Sequence, residues 1–247
     1  MKKLILVVDG DAACRDALRT CLQSNGFDVG VLYEPDRVLK RVQLEHPALI
    51  VMTNGVIHGR GLVALQALRA LGDDVPLIML GEADDVTERI VALECGADDF
   101  ISKPFNAREV LARIRCVLKR TDPVVLQDPV ARPPFSFNGF ELDYTSRSLT
   151  YRGKTVRLLQ TEYAMLNLFT NAPGRVLSKE VIAQSIWPEV PKQLTTVGVW
   201  VHRLRARIKR DAAVPEVIHT VRAKGYVFRP APDDSLREAS RSLRPAV

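Results

Sequence analysis

No stretch of the 247 residues approaches the ~18–20 consecutive apolar positions that a membrane span requires. The opening MKKLILVVDG lacks the apolar segment and cleavage site of a secretory leader, so the cytoplasm is the expected location and no membrane partner is expected. Cysteine is scarce and lopsided: Cys14, Cys21, Cys95 and Cys116 all fall in the first half, without the spacing of zinc ligands. No metal site and no cofactor is therefore expected. Cys14 and Cys21 lie seven positions apart, with Leu18 on the same helix face, and read as small core filler rather than as a redox switch. His202 has no neighbouring His or Cys with which to share a metal.

What is present is the composition of an ordinary water-soluble protein, 47% apolar and 26% charged, and a length sufficient for two modest domains. The formal charge of +6 is unevenly spread. Residues 1–120 hold 16 Lys and Arg against 17 Asp and Glu, whereas residues 121–247 hold 19 against 12. Only the second half is suited to a polyanion.

The first half alternates short apolar runs with helical periodicity. Strands are expected at 4–8, 27–32, 48–53, 76–80 and 98–102, and helices at 9–25, 35–45, 61–71, 84–95 and 106–120. Five strand–helix units predict a doubly wound α/β domain: a five-stranded parallel sheet of flavodoxin-like type with helices on both faces. Loops at the carboxyl ends of such strands form the working site, and Asp9, Thr53, Gly81 and Lys103 fall there.

In the second half, residues 121–134 carry Pro123, Pro129, Pro133 and Pro134 and read as a linker. Strands are expected at 135–142, 148–151 and 155–157. Helices are expected from Thr161 to the NAPGR break at 171–175, and from Ser178 to Trp187. A third helix covers 195–210, and a hairpin pairs 217–221 with 226–229, turning at Lys224-Gly225. The third helix carries Val197, Val201, Leu204 and Ile208 on one face and Arg203, Arg205, Arg207, Lys209 and Arg210 elsewhere. A helix with an apolar back and a cationic front fits the major groove of duplex DNA. Residues 231–247, with little apolar content, read as a mobile tail.

LILVVDGD, HPALIVMTNG, VPLIMLG, GADDFISKPF and EVLARIRCVLKR resemble the receiver domain of bacterial two-component response regulators, across residues 1–120. LLQTEYAMLNLF, GRVLSKEVIAQSIW, HRLRARIKR and IHTVRAKGYVF resemble the winged helix-turn-helix effector of the OmpR/PhoB type, across residues 135–230. This resemblance implies a DNA-binding transcriptional regulator and not an enzyme. It places Thr195, Thr196, Trp200, His202, Arg203 and Arg205 at the major groove or its flanking phosphates, Thr220 on the backbone, Arg222 in the minor groove and Lys224 beside it. Trp200 admits a second reading, as a side chain packed inside its own domain.

The receiver chemistry is Mg²⁺-assisted phosphoryl transfer from a histidine kinase to an aspartate. It requires an acidic pair after the first strand, an aspartate after the third, a hydroxyl after the fourth and a lysine after the fifth. Here the second acidic position is Gly10, the acceptor is Thr53 and the hydroxyl position is Gly81. Only Asp9 and Lys103 remain, so an Asp9–Lys103 pair in a pocket that takes neither metal nor phosphate is expected, with Asp11 capping the first helix. The resemblance also places Arg89, Glu94, Asp98, Asp99, Glu109, Arg113 and Arg120 on a dimer face, which implies a homodimer joined through the receiver. Promoter DNA is the expected partner; RNA polymerase and a histidine kinase stay open. The competing readings are a conventional phospho-switched regulator, a receiver pocket that senses a small molecule or redox state, and an adaptor without DNA affinity.

Overall fold

The computed structural model describes residues 2–54, 60–82, 85–121, 132–188, 194–209 and 216–230. The linker expected at 121–134 falls mostly outside them, and the tail at 231–247 falls outside entirely. The side chains of Thr195 and Arg120 are also outside the described set.

The first half is built on strands β1 (Leu4–Val8), β2 (Asp28–Leu32), β3 (Leu49–Thr53), β4 (Leu77–Glu82) and β5 (Asp99–Lys103), in the parallel order β2-β1-β3-β4-β5. The run LILVV is buried throughout its last four residues because both faces of the sheet are covered. Leu6 and Val8 join one apolar cluster with Val38, Val42, Leu65 and Leu93, while Ile5 and Val7 join the opposite cluster with Leu18, Leu22, Val110 and Ile114. The helices that supply these residues are α1 (Ala12–Ser24), α2 (Val38–Glu45), α3 (Arg60–Ala70), α4 (Val86–Cys95) and α5 (Ala107–Thr121).

Local chemistry sets their ends. Asp11 caps α1 by accepting the Ala13 N–H at 3.0 Å. The helix expected from residue 35 begins only at Val38, because Pro35–Arg37 form a tighter 3-10 turn first. Gly96 closes α4 in the left-handed region, at φ 114°.

The second half opens with an antiparallel sheet of β6 (Phe135–Phe137), β7 (Phe140–Asp143), β8 (Ser148–Tyr151) and β9 (Lys154–Val156). Helices α6 (Gln160–Thr170), α7 (Lys179–Ile186) and α8 (Leu194–Ile208) follow, then the hairpin β11 (Ile218–Val221) and β12 (Gly225–Phe228). Ser178 caps α7 as expected. A two-residue strand, β10 (Val176–Leu177), was not legible from alternation; it exists because it pairs with β12. Gly225, φ 131°, is where β12 meets β10: a Cβ there would lie 2.0 Å from the Leu177 carbonyl oxygen.

The two halves touch. α4 packs on α8 and α5 on α6, and Arg157, just after β9, donates to the Gly72 carbonyl at 2.8 Å. The larger apolar cluster runs without a break from Leu93, Ala97 and Cys116 into Met165, Trp187 and Trp200.

Candidate nucleic-acid interface and receiver pocket

At the carboxyl end of the parallel sheet, Lys103 Nζ meets Asp9 Oδ2 at 2.8 Å, and Asp9 Oδ1 accepts the Asp11 N–H at 2.9 Å. Burial alone would push the Asp9 carboxyl up. Hydrogen bonds from the Cys14 thiol, Lys103 and the Asp11 amide, with the charge of Lys103, outweigh it and hold the pKa below the ordinary carboxylate value. The same contact acts in reverse on Cys14, whose thiol is pushed up to about 12 by burial and then by the Asp9 carboxylate. A thiol so held is protonated at neutral pH and a poor nucleophile.

Thr53 ends β3 half-buried, Gly10 is exposed, and Gly81 is buried in β4. Arg15, which sequence reasoning passed over, donates to the Asp9 and Gly10 carbonyls at 2.8 and 2.7 Å and stacks on Tyr33. Among the described residues no group of three or more His, Cys, Asp or Glu side chains is placed to hold a metal ion.

Several of the expected dimer-face residues are buried and paired within the chain. Asp99 and Arg113 are buried and pair at 2.9 Å, with Glu109 closing on Arg113 at 2.7 Å. Burial alone would pull the Arg113 pKa down, but Asp99 and Glu109 raise it above its ordinary value. Asp98, also buried, accepts the Leu77 N–H at 3.0 Å and lies 3.5 Å from Arg69. Arg89 donates to Ser102 Oγ at 2.8 Å, and Glu94 is exposed. Asp98, Asp99 and Arg113, expected on the dimer face, are each bonded within their own chain.

On α8 the apolar stripe faces inward as expected, with Val197, Val201, Leu204 and Ile208 buried. Three of the expected DNA contacts face inward as well. Trp200 is fully buried, which decides for its packed reading, and Thr196 is 2% exposed. Arg203 is 7% exposed: it pairs with Glu162 at 2.9 Å, donates to the Leu93 and Ala97 carbonyls at the end of α4, and lies over the Trp200 ring. Burial lowers its pKa, against the opposing pull of Glu162 and Asp98. In this arrangement of the chain Thr196, Trp200 and Arg203 are therefore turned inward.

The physical reason is Glu162 on α6. Its carboxylate is fully buried, accepts the Leu159 N–H at 2.9 Å, and needs a cation. Arg203 supplies one, with Arg207 3.4 Å away on the exposed side. The signal available in the sequence was the acid in the first turn of α6, which marks a helix start but not its partner.

His202 stays exposed on α8. Arg205 donates to the Ile218 carbonyl at 2.9 Å and to Thr220 Oγ1 at 3.0 Å, and meets Glu216 at 2.8 Å, so it braces the hairpin against the helix. Arg222 and Lys224 stand exposed at the hairpin turn, where Ala223 adopts φ 57°.

Residues 5–115 match the family of response regulator receiver domains, and residues 153–228 match the family of C-terminal domains of transcriptional regulatory proteins. The response regulator MprA of Mycobacterium avium is 35% identical over 229 residues, covering 92% of this chain and 99% of that protein. MprA of Mycobacterium tuberculosis H37Rv is 35% identical over 233 residues, covering 94% and 100%. The chain is a response regulator of the OmpR/PhoB type. Among solved structures, a mutant of RitR superposes with a TM-score of 0.75 at 20% identity, covering 93% of this chain and 100% of that one, a likeness of fold. As in other response regulators of this type, a receiver precedes a DNA-binding domain. No described helix is long and apolar enough to cross a membrane.

Proposed function

We propose that this response regulator controls transcription from duplex DNA without phosphoryl transfer to its receiver. The observation that carries the reading is the Asp9–Lys103 pair at 2.8 Å, with Gly10, Thr53 and Gly81 where the chemistry calls for an acid, an acid and a hydroxyl. The carboxylate that remains is neutralised by the lysine beside it, and a threonine hydroxyl without an adjacent base is a poor nucleophile. Acetyl phosphate with Mg²⁺ is expected to leave no acid-labile phosphate on the purified chain. A stoichiometric label would overturn the reading.

In this reading residues 1–120 form the receiver, 121–134 the linker, 135–230 the winged-helix effector, and 231–247 a tail adding weak attraction to DNA. The face made by α4, β5 and α5 couples two copies once the effector has left it, and the two heads bind half-sites about one helical turn apart. His202, Arg222 and Lys224 meet DNA from exposed positions. Thr195, Thr196, Arg203, Arg205 and Thr220 join them as a proposal from the resemblance alone. RNA polymerase is the partner of the bound dimer, near the nucleoid, and no kinase is required. The raised pKa of Cys14 argues against a thiol sensor in the pocket.

A further inference from the structure

Strand β4 passes through Gly81, the position from which the hydroxyl side chain is missing. The space is nonetheless filled. A Cβ on Gly81 would lie 2.5 Å from Glu88 Oε2 and 2.4 Å from Phe100 Cζ, so a carboxylate and a ring occupy the room that a side chain would take.

Glu88 is the third residue of α4, and its N–H donates to the capping Asp85 at 2.7 Å. In a capping box its side chain would turn back to the backbone of the cap. It reaches across to the strand ends instead: Oε1 accepts from Asn54 Nδ2 at 2.7 Å, and Oε2 accepts the Glu82 N–H at 3.1 Å. Asn54 is itself fixed, its Oδ1 accepting the Leu62 N–H at 3.0 Å. One carboxylate therefore ties the ends of β3 and β4 to the start of α4. At the carboxyl end of the sheet, the backbone N–H of Glu82 and the side-chain amide of Asn54 thus converge on one carboxylate. Donors of this kind, converging at strand ends, make a receptor for a tetrahedral or planar oxyanion.

We infer that Glu88 is a resident anion, whose carboxylate fills this oxyanion receptor, keeps phosphate-like anions out by repulsion and occupancy, and fastens α4 to the sheet with no donor molecule. The inference rests on the phosphate-independent reading above and extends it. At its far end the same helix accepts from Arg203 through the Leu93 carbonyl, with the Ala97 carbonyl just past the helix, so the seat of α8 is fixed by Glu88 at one end and used at the other.

The test uses the full chain, inorganic phosphate as the probe and the Glu82 backbone amide resonance as the readout. In the natural sequence that resonance is expected to show no saturable shift. Glu88→Ala is expected to shift saturably, with binding on the order of millimolar and at least about tenfold tighter than the natural chain. Glu88→Gln, which keeps an acceptor for the Glu82 N–H but no charge, is expected to fall between and serves where Glu88→Ala does not fold. Folded variants that ignore phosphate, with α4 amides exchanging as slowly as in the natural chain, would overturn the resident anion. So would saturable phosphate binding by the natural chain. A covalent label from acetyl phosphate on the natural chain would instead overturn the phosphate-independent reading, so the two failures are separable.

Discussion

Arg203 and Glu162 form the most consequential pair of residues, because one is 7% exposed and the other fully buried. Removing the arginine leaves a carboxylate inside the effector with Arg207 as its remaining cation, so Arg203→Ala is expected to cost about 3 kcal/mol in chemical denaturation. Asp9 has a smaller and pH-dependent role. Its folded pKa lies below the ordinary value, so the stability it adds is present above pH ~4 and is lost as pH falls through the folded pKa. The acid limb of a stability–pH curve should therefore flatten in Asp9→Asn, and an unchanged limb would contradict the pairing. Cys14 gives the mirror case. Its thiol, raised to about 12, should resist alkylation at pH 8 in the folded chain and react once the chain is unfolded in denaturant.

At the scale of elements, the docking of α8 against α4 sets what the cationic helix can reach. The contact is braced at a second point, Arg157 on Gly72, which lies outside every residue proposed to touch DNA. Arg157→Ala should therefore loosen the closed arrangement and tighten binding to a duplex fragment several-fold. Unchanged affinity would show that the brace does not restrain α8. The hairpin responds differently: Arg205 holds it through Ile218 and Thr220, so Thr220→Val removes one hydrogen bond, about 1 kcal/mol, and should raise hydrogen exchange in β11 more than in β12.

For the whole molecule, one receiver face cannot serve two occupants. α4 and α5 are covered by α8 and α6 of the same chain, so coupling of two copies through that face and the closed arrangement exclude one another. DNA should accordingly promote self-association. Sedimentation with and without a duplex fragment checks this, and a closed monomer bound to DNA would contradict it. The net positive charge of the second half makes the same binding salt-dependent, with a slope that falls by about one for each phosphate-contacting cation removed at Arg222 or Lys224.

The alternation of five apolar runs with helical stripes was sufficient for the doubly wound sheet, and the order of motifs was sufficient for the family. Both are local properties, since periodicity and the identity of a residue at a strand end do not depend on distant partners. The loss of the acid and hydroxyl positions at Gly10, Thr53 and Gly81 was legible for the same reason. What the line of residues could not disclose is which arginines turn outward. Arg203 lies beside the apolar stripe of α8, and its direction was decided by a buried acid on α6 and by carbonyl oxygens 110 and 106 positions earlier in the chain. Glu88 is the same lesson on the receiver: its place in a first helical turn is local, but the amides that hold it lie at the ends of two strands that only the folded sheet brings together.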